Sequence, residues 1–234
     1  MARSIYASSS LVSVAVATAV GGLVLYGVLR VTRARVYDTL IVKLTTGWYA
    51  EVLKRVPEGS SLLDVGVGTG LALVNNDELL RRKQIAVDGV DYDVDYVVRC
   101  RALLRETELT SLVTAHHASI YDFSGGPYDS VYFSSSLMLM PDAVQALKHC
   151  VAMLKPKVGR VYVTQTIQTR HSKLVELGKP LLKFFTTIDF GTVTYEEDLL
   201  ATFKKAGLTL REHVAISGSS MTSTRSFRLF VLEP

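Results

Sequence analysis

From Tyr37 onward the apolar positions of the chain alternate between short continuous runs and helically spaced sets, the pattern of strands interleaved with helices. Tyr37 to Arg55 predicts an amphipathic helix, stopped by Pro57 and Gly59, and Ser61 to Val65 predicts a short buried strand running into glycines. A helix over Leu71 to Arg82, a strand over Ile85 to Val90 and a helix over Asp93 to Glu106 follow. The last of these places Val94, Val97, Val98, Leu103 and Leu104 at helical spacing. Val113 to Ala115 and Ser130 to Phe133 predict two more strands. Pro141 marks the start of a helix that reaches Leu154 and stops before Pro156, and Gly159 to Thr166 predicts the fifth strand. Near the end, Thr194-Tyr-Glu-Glu197 has the form of a capping box, opening a helix that closes at Gly207. Two strands then come with no helix between them, Leu210 to Ile216 and Ser226 to Leu232, so an otherwise parallel sheet ends in an antiparallel hairpin.

The N-terminal stretch departs from this alternation. No charged residue lies between Arg3 and Arg30, and Leu11 to Leu29 is an apolar run of 19 residues. As a helix it measures about 29 Å, close to the hydrocarbon thickness of a bilayer. Arg30, Arg33 and Arg35 follow it and only Arg3 precedes it, so the positive-inside rule places the remainder of the chain in the cytosol. The expectation is a single-pass membrane anchor with a basic flank over residues 1–36, followed by one domain over 37–234. Two competing interpretations are a cleaved secretory signal, with small-residue sites at Ala15-Val-Ala17 and Ala17-Thr-Ala19, and an organellar transit peptide that would direct the protein to mitochondria or another organelle.

Composition sharpens this picture. With 48% hydrophobic residues and a net charge of only +4 over 234 residues, the chain is neither disordered nor short of core-forming side chains. The charge is concentrated at one end. No acid precedes Asp38, so the first 37 residues carry +4 and the remainder balances 22 basic against 22 acidic side chains. A neutral body lacks the electrostatic footprint of a phosphate-backbone binder, which argues against nucleic acid as a partner. Cys100 and Cys150 stand in no metal-type spacing, and no metal is expected.

The chemistry is signalled by Leu62-Leu-Asp-Val-Gly-Val-Gly-Thr-Gly-Leu71, in which Gly66, Gly68 and Gly70 lie between the first strand and the next helix. Glycine permits a tight turn and close backbone approach to a ligand, and the helix N-terminus adds unpaired N–H groups. The spacing G-x-G-x-G, with leucine at 71, is not the G-x-G-x-x-G of dinucleotide sites.

With these motifs in order, the segment from Tyr37 to Pro234 resembles the class I S-adenosylmethionine-dependent methyltransferases. The resemblance implies a Rossmann-like, doubly wound, seven-stranded α/β sheet whose last strand is antiparallel, here preceded by the transmembrane helix. It also implies S-adenosyl-L-methionine as cofactor. Leu63-Asp64-Val-Gly66-Val-Gly68-Thr-Gly70 matches the family's first motif, whose glycines pass beneath the methionine part of the cofactor and whose acid, Asp64, helps position it. Val87-Asp-Gly-Val-Asp91-Tyr92-Asp93 matches the end of the second strand, which assigns the ribose hydroxyls to Asp91 and the adenine face to Tyr92. The segment Tyr128 to Asp142 resembles the fourth strand and its loop, bringing Ser134 to the cofactor, and Leu154-Lys-Pro-Lys-Val-Gly-Arg160 resembles the turn before the fifth. After the third strand the family commonly has an aspartate on the adenine amino group; His116-His-Ala-Ser-Ile-Tyr-Asp122 has none at that place, which leaves Ser119, His117 or a backbone contact to substitute.

Methyl transfer from a sulfonium needs alignment and a dry site more than a dedicated triad. The loop Ser134-Ser-Ser-Leu differs from the Asn/Asp-Pro-Pro-Tyr of members that methylate nucleic acid or glutamine. His171, in Gln168-Thr-Arg-His-Ser-Lys173, is the candidate acid–base residue, beside the alternative of a solvated basic turn. Leu174 to Phe190, apolar residues interleaved with lysines, suits either a lid that touches a membrane or a helix packed on the core. The layout is similar to that of the membrane-bound alkyl-thiol methyltransferases. The expected activity is methyl transfer to a small, lipophilic thiol, hydroxyl or amine. The alternative is a membrane-tethered, cofactor-binding module without turnover.

Overall fold

The computed structural model describes residues 42–168, 193–216 and 225–234, together with six positions between 16 and 24. Its seven strands are β1 (Ser61–Val65), β2 (Ala86–Asp91), β3 (Val113–His117), β4 (Ser130–Ser134), β5 (Arg160–Gln168), β6 (Thr209–Ala215) and β7 (Arg225–Glu233). They form one sheet in the order β3-β2-β1-β4-β5-β7-β6, in which β7 runs antiparallel to both β5 and β6. This is the expected doubly wound sheet with its reversed last strand. Among residues 42–168, 193–216 and 225–234 the α-helices are α1 (Lys43–Arg55), α2 (Leu71–Val74), α3 (Asp77–Lys83), α4 (Val94–Arg105), α5 (Ala143–Ala152) and α6 (Glu196–Lys205).

Burial on both faces explains why the strands read as continuous apolar runs. Leu62, Val87, Tyr132 and Tyr162 point to one face, where Trp48, Val52, Leu53, Leu73, Leu80, Val97, Cys100 and Leu104 of α1 to α4 cover them. Leu63, Val65, Phe133, Val161 and Val163 point to the other, against Leu147 and Cys150 of α5 and Leu199 and Phe203 of α6. The first covering crosses over from β1 and the second from β4. The sheet therefore changes winding direction between these two neighbouring strands.

Three expectations are corrected. The helix read over Leu71 to Arg82 is two helices, α2 and α3, separated by Asn75 and Asn76. Asn76 donates to the carbonyls of Ala72 at 2.8 Å and Thr46 at 3.1 Å, and Asn75 donates to Thr46 Oγ1 at 3.0 Å, so side-chain amides stitch the break to α1. The capping box at Thr194 does not form, because Tyr195 is the N-cap residue of α6 and Thr194 Oγ1 accepts from Gln165 Nε2 at 3.3 Å instead. Pro141 lies outside α5, whose N-cap is Asp142, accepting from Gln145 N at 2.9 Å.

The run Leu11–Leu29 falls mostly outside the described residues. Its described members, Val16, Thr18, Val20, Gly21, Gly22 and Val24, are helical, and the three valines are each more than half exposed. No helix among the described residues is long and apolar enough to cross a membrane.

Helix α1 is fastened at its C-terminal end by a cation. The Lys83 ammonium, on a residue only 8% exposed, donates to the carbonyls of Leu53 at 2.8 Å, Lys54 at 3.0 Å and Val56, oxygens that have no intrahelical partner of their own. Replacing Lys83 by Met leaves these acceptors unmet and costs about 2 kcal/mol. Thermal unfolding should report a drop of about 6 °C; an unchanged midpoint would remove this clamp from the account.

Candidate cofactor site

In an open α/β sheet, ligands bind beyond the carboxyl ends of the strands where the winding reverses. Here that place is the end of β1 beside β4, and the glycine loop occupies it. Gly66, Gly68 and Gly70 have φ of +80°, +60° and +72°, values that L side chains rarely adopt. Space is equally restrictive. A Cβ on Gly66 would lie 2.5 Å from Ser136 Cβ, and one on Gly70 would collide with Cys100 Sγ. Gly70 is the N-cap of α2, with no side-chain cap on the helix's first amides.

A shallow, solvent-open hollow lies against this loop, lined by Val42, Thr45 and Tyr49 of α1 and its approach, by Gly66, Val67 and Thr69 to Ala72, and by Ser134. Asp64 lies beneath and is fully buried. Tyr49 donates from its hydroxyl to Asp64 Oδ2 at 2.8 Å, while Asp64 Oδ1 has no hydrogen-bond partner among the described residues. Burial is the main reason its carboxyl is pushed up to about 7; the nearby Asp91 charge acts in the same direction and the Tyr49 hydrogen bond opposes both. Ser134 Oγ is likewise buried without a partner. Native proteins leave few such atoms unmet; of these two, Ser134 lines the hollow and Asp64 lies behind it, against Tyr49.

Asp91 ends β2 and ties the loop to it. Its Oδ2 accepts from Gly68 N and its Oδ1 from Asp93 N, each at 2.9 Å. Asp93 in turn caps α4, accepting from Asp95 N at 3.0 Å. Tyr92 follows, 68% exposed, with its carbonyl accepting from His117 Nε2 at 3.0 Å. Ser119 lies just beyond β3, next to Ala118, whose N–H donates to the Asp91 carbonyl at 3.0 Å; Ser119 Oγ accepts from Tyr121 N at 3.3 Å. The sequence-predicted residues thus fall into a group on the hollow (Gly66, Gly70, Ser134), a group joined to the loop or to Tyr49 by hydrogen bonds or by sequence (Asp64, Gly68, Asp91) and two residues that do not line it (Tyr92, Ser119). His171 lies outside the described residues, as does the segment Leu174 to Phe190. His116 is paired with Asp88 at 2.7 Å on the opposite face of β2, where Asp88 also accepts from Tyr128, in keeping with a structural role.

Sequence reasoning missed Tyr49 and Ser136. Ser136 donates from Oγ to the Val65 carbonyl and packs under Gly66, a position reached because Ser135 turns with φ +57°. The only signal for it was the unusual Ser134-Ser-Ser run.

Residues 62–157 match the family model described as a methyltransferase domain. That segment carries the sequence signature of a methyltransferase domain. Solved structures agree on the fold. A geranyl diphosphate methyltransferase in complex with S-adenosylmethionine superposes with a TM-score of 0.65 at 14% identity, over 82% of this chain and 86% of that one. The geranyl diphosphate C-methyltransferase from Streptomyces coelicolor A3(2) gives 0.61 at 16% identity, over 79% and 76%. The [4+2]-cyclase SpnF gives 0.63 at 16% identity, over 80% of each chain. No curated protein matches the chain in sequence.

The residues fit S-adenosylmethionine. Its ammonium suits the unmet oxygen of Asp64, and its bulk needs the close backbone approach that the glycines provide. Among the described residues no group of three or more His, Cys, Asp or Glu side chains could hold a metal ion. Gly70→Val combines a disallowed φ with a collision at Cys100, so it should reduce cofactor affinity at least tenfold by equilibrium dialysis. Retained affinity would show that the loop is not the binding element.

Proposed function

We propose that this enzyme is tethered to a membrane by residues 1–36 and transfers the methyl group of S-adenosylmethionine to a small, lipophilic acceptor bearing a thiol, hydroxyl or amine. The observation that carries the membrane part is the exposure of Val16, Val20 and Val24, spaced every four residues along one side of a helix within a 19-residue uncharged run. An apolar stripe of this kind has no stable place in water and gains about 25 cal/mol per Å² on entering hydrocarbon. The cytosolic orientation rests on Arg30, Arg33 and Arg35.

A small acceptor is supported by electrostatics and by the loop after β4. The 22 basic and 22 acidic side chains beyond residue 37 cancel, and Ser134-Ser-Ser offers no planar amide clamp for a nucleobase. Two of the structurally similar proteins are methyltransferases of geranyl diphosphate, an isoprenoid compound, which makes a lipophilic acceptor compatible with this architecture. The fold is also that of a [4+2]-cyclase, so the reaction itself has to be measured.

In this reading the cofactor supplies an electrophilic methyl group, and the chain's residues position it. Asp64 receives the ammonium, and Gly66, Gly68 and Gly70 let the backbone lie beneath the methionine portion. Asp91, oriented by Gly68 N and Asp93 N, receives the ribose hydroxyls. Tyr92 would hold the adenine face and Ser119 its amino group, and Ser134 lines the hollow that would take the methionine portion. Val42, Leu71 and Ala72 exclude water from one side. His171 takes the proton of a thiol, phenol or amine acceptor.

The test is titration of the full chain with S-adenosylmethionine, followed by turnover of labelled cofactor with thiols, phenols, amines and lipids. Asp91→Ala should weaken binding by a factor of about ten to a hundred, as expected for loss of a charge-assisted contact. Unchanged affinity would remove the ribose assignment, and binding without any turnover would favour the tethered module. In membranes, the full chain should resist alkaline extraction and a chain lacking residues 1–36 should not; equal extraction would contradict the anchor.

A further inference from the structure

The pair formed by Tyr49 and Asp64 carries more than the docking of α1. The two groups belong to elements that have no need of each other for their backbone bonding: Asp64 is in the middle of the central strands, and Tyr49 is on the helix that forms the opposite wall of the hollow. The Tyr49 ring stands edge-on to Tyr132, with centroids 4.9 Å apart, which leaves its hydroxyl aimed at Asp64 Oδ2. One carboxylate oxygen is thereby occupied, and the other is buried with no partner among the described residues.

We propose that Tyr49 is a positioning residue which, by holding one oxygen of Asp64, presents the other to the cofactor's ammonium group, and that cofactor binding consequently drives a proton from Asp64 into solvent. The proposal rests on the contact between Asp64 and the cofactor given above. The groups facing Asp64 leave no other source for that proton. From β2, Asp91 contributes a negative charge, which favours the protonated form. From α4, the Cys100 thiol has its own pKa pushed up to about 12 by burial and by the two carboxylates, and is neutral throughout. From β4, Tyr132 shares its hydroxyl with Thr164 at 2.8 Å and faces the Tyr49 ring. Among the described residues no cation acts on Asp64.

The balance is simple. Before binding, the carboxyl exists as COOH below the midpoint near 7 and as carboxylate above it. After binding, the adjacent ammonium favours the carboxylate, and the O–H bond breaks with the proton going to buffer. Affinity therefore falls as pH drops below the midpoint, and above it falls only where the cofactor's own ammonium gives up its proton. Proton release on binding is therefore larger on the acid side of the midpoint than on the alkaline side.

The Tyr49 hydroxyl lowers the Asp64 midpoint, so Tyr49→Phe should move the onset of the affinity loss to higher pH in addition to any uniform weakening. Asp64→Asn should abolish the proton release. The experiment is calorimetric titration of the full chain with S-adenosylmethionine at several pH values in buffers of different ionisation enthalpy, which counts released protons. The expected result is release that grows below neutrality in the wild type, persists to higher pH in Tyr49→Phe and is absent in Asp64→Asn. Cofactor binding with no proton release at pH 6 would overturn the proposal and leave the cofactor assignment standing. A Tyr49→Phe curve that is weaker by one constant factor at every pH would reduce Tyr49 to a packing residue. No binding at any pH would instead contradict the underlying site.

Discussion

The structure depends on a turn that only glycine can make. Between β1 and α2 the chain adopts positive φ at Gly66, Gly68 and Gly70 within five residues, packed so tightly that Ser136 and Cys100 stand where two Cβ atoms would be. A loop of this shape is costly to order, because glycine gives up more conformational freedom than other residues. Asp91 offsets part of that cost by accepting from Gly68 N, and Ser136 does so by holding the Val65 carbonyl. Strand β2, the loop after β4 and helix α4 are thus all fixed relative to one turn. The cofactor hollow is what remains beside it.

The same constraint organises the electrostatics. Placing the loop at the switch between β1 and β4 puts Asp64 in the interior, where ionisation is costly, and brings Asp91 close enough to raise that cost. An apolar residue at 64 would be more comfortable in the folded chain. A buried acid and a Ser134 hydroxyl without a partner among the described residues both cost stability, as groups kept at binding sites do.

Much of this was legible in sequence, for identifiable reasons. Strands buried on both faces are apolar without interruption, so β1, at Ser61–Val65, was delimited correctly, and Asp91 stood out as the acid closing β2. The glycine spacing declared both the turn and the ligand class. What could not be read were contacts between segments distant in the chain. Tyr49 looked like one more aromatic on an amphipathic helix until β1 placed Asp64 opposite its hydroxyl. Asn75 and Asn76 carry no periodic signal, and the bonds their amides make to Thr46 on α1 and to Ala72 accompany the break. Thr194 fits a capping box by spacing, yet Gln165 from β5 claims its hydroxyl first. Local rules fail where a tertiary partner offers the same group a better bond.

The central claim is that the cofactor binds between the glycine loop and α1. Amide hydrogen exchange of the full chain, with and without S-adenosylmethionine, tests it most directly. The account predicts slower exchange on binding at residues 65–72, at the amide of Gly68 above all, and along α1 around Thr45 and Tyr49. Slowing confined to other parts of the sheet, with residues 65–72 and α1 unchanged at saturating cofactor, would contradict it.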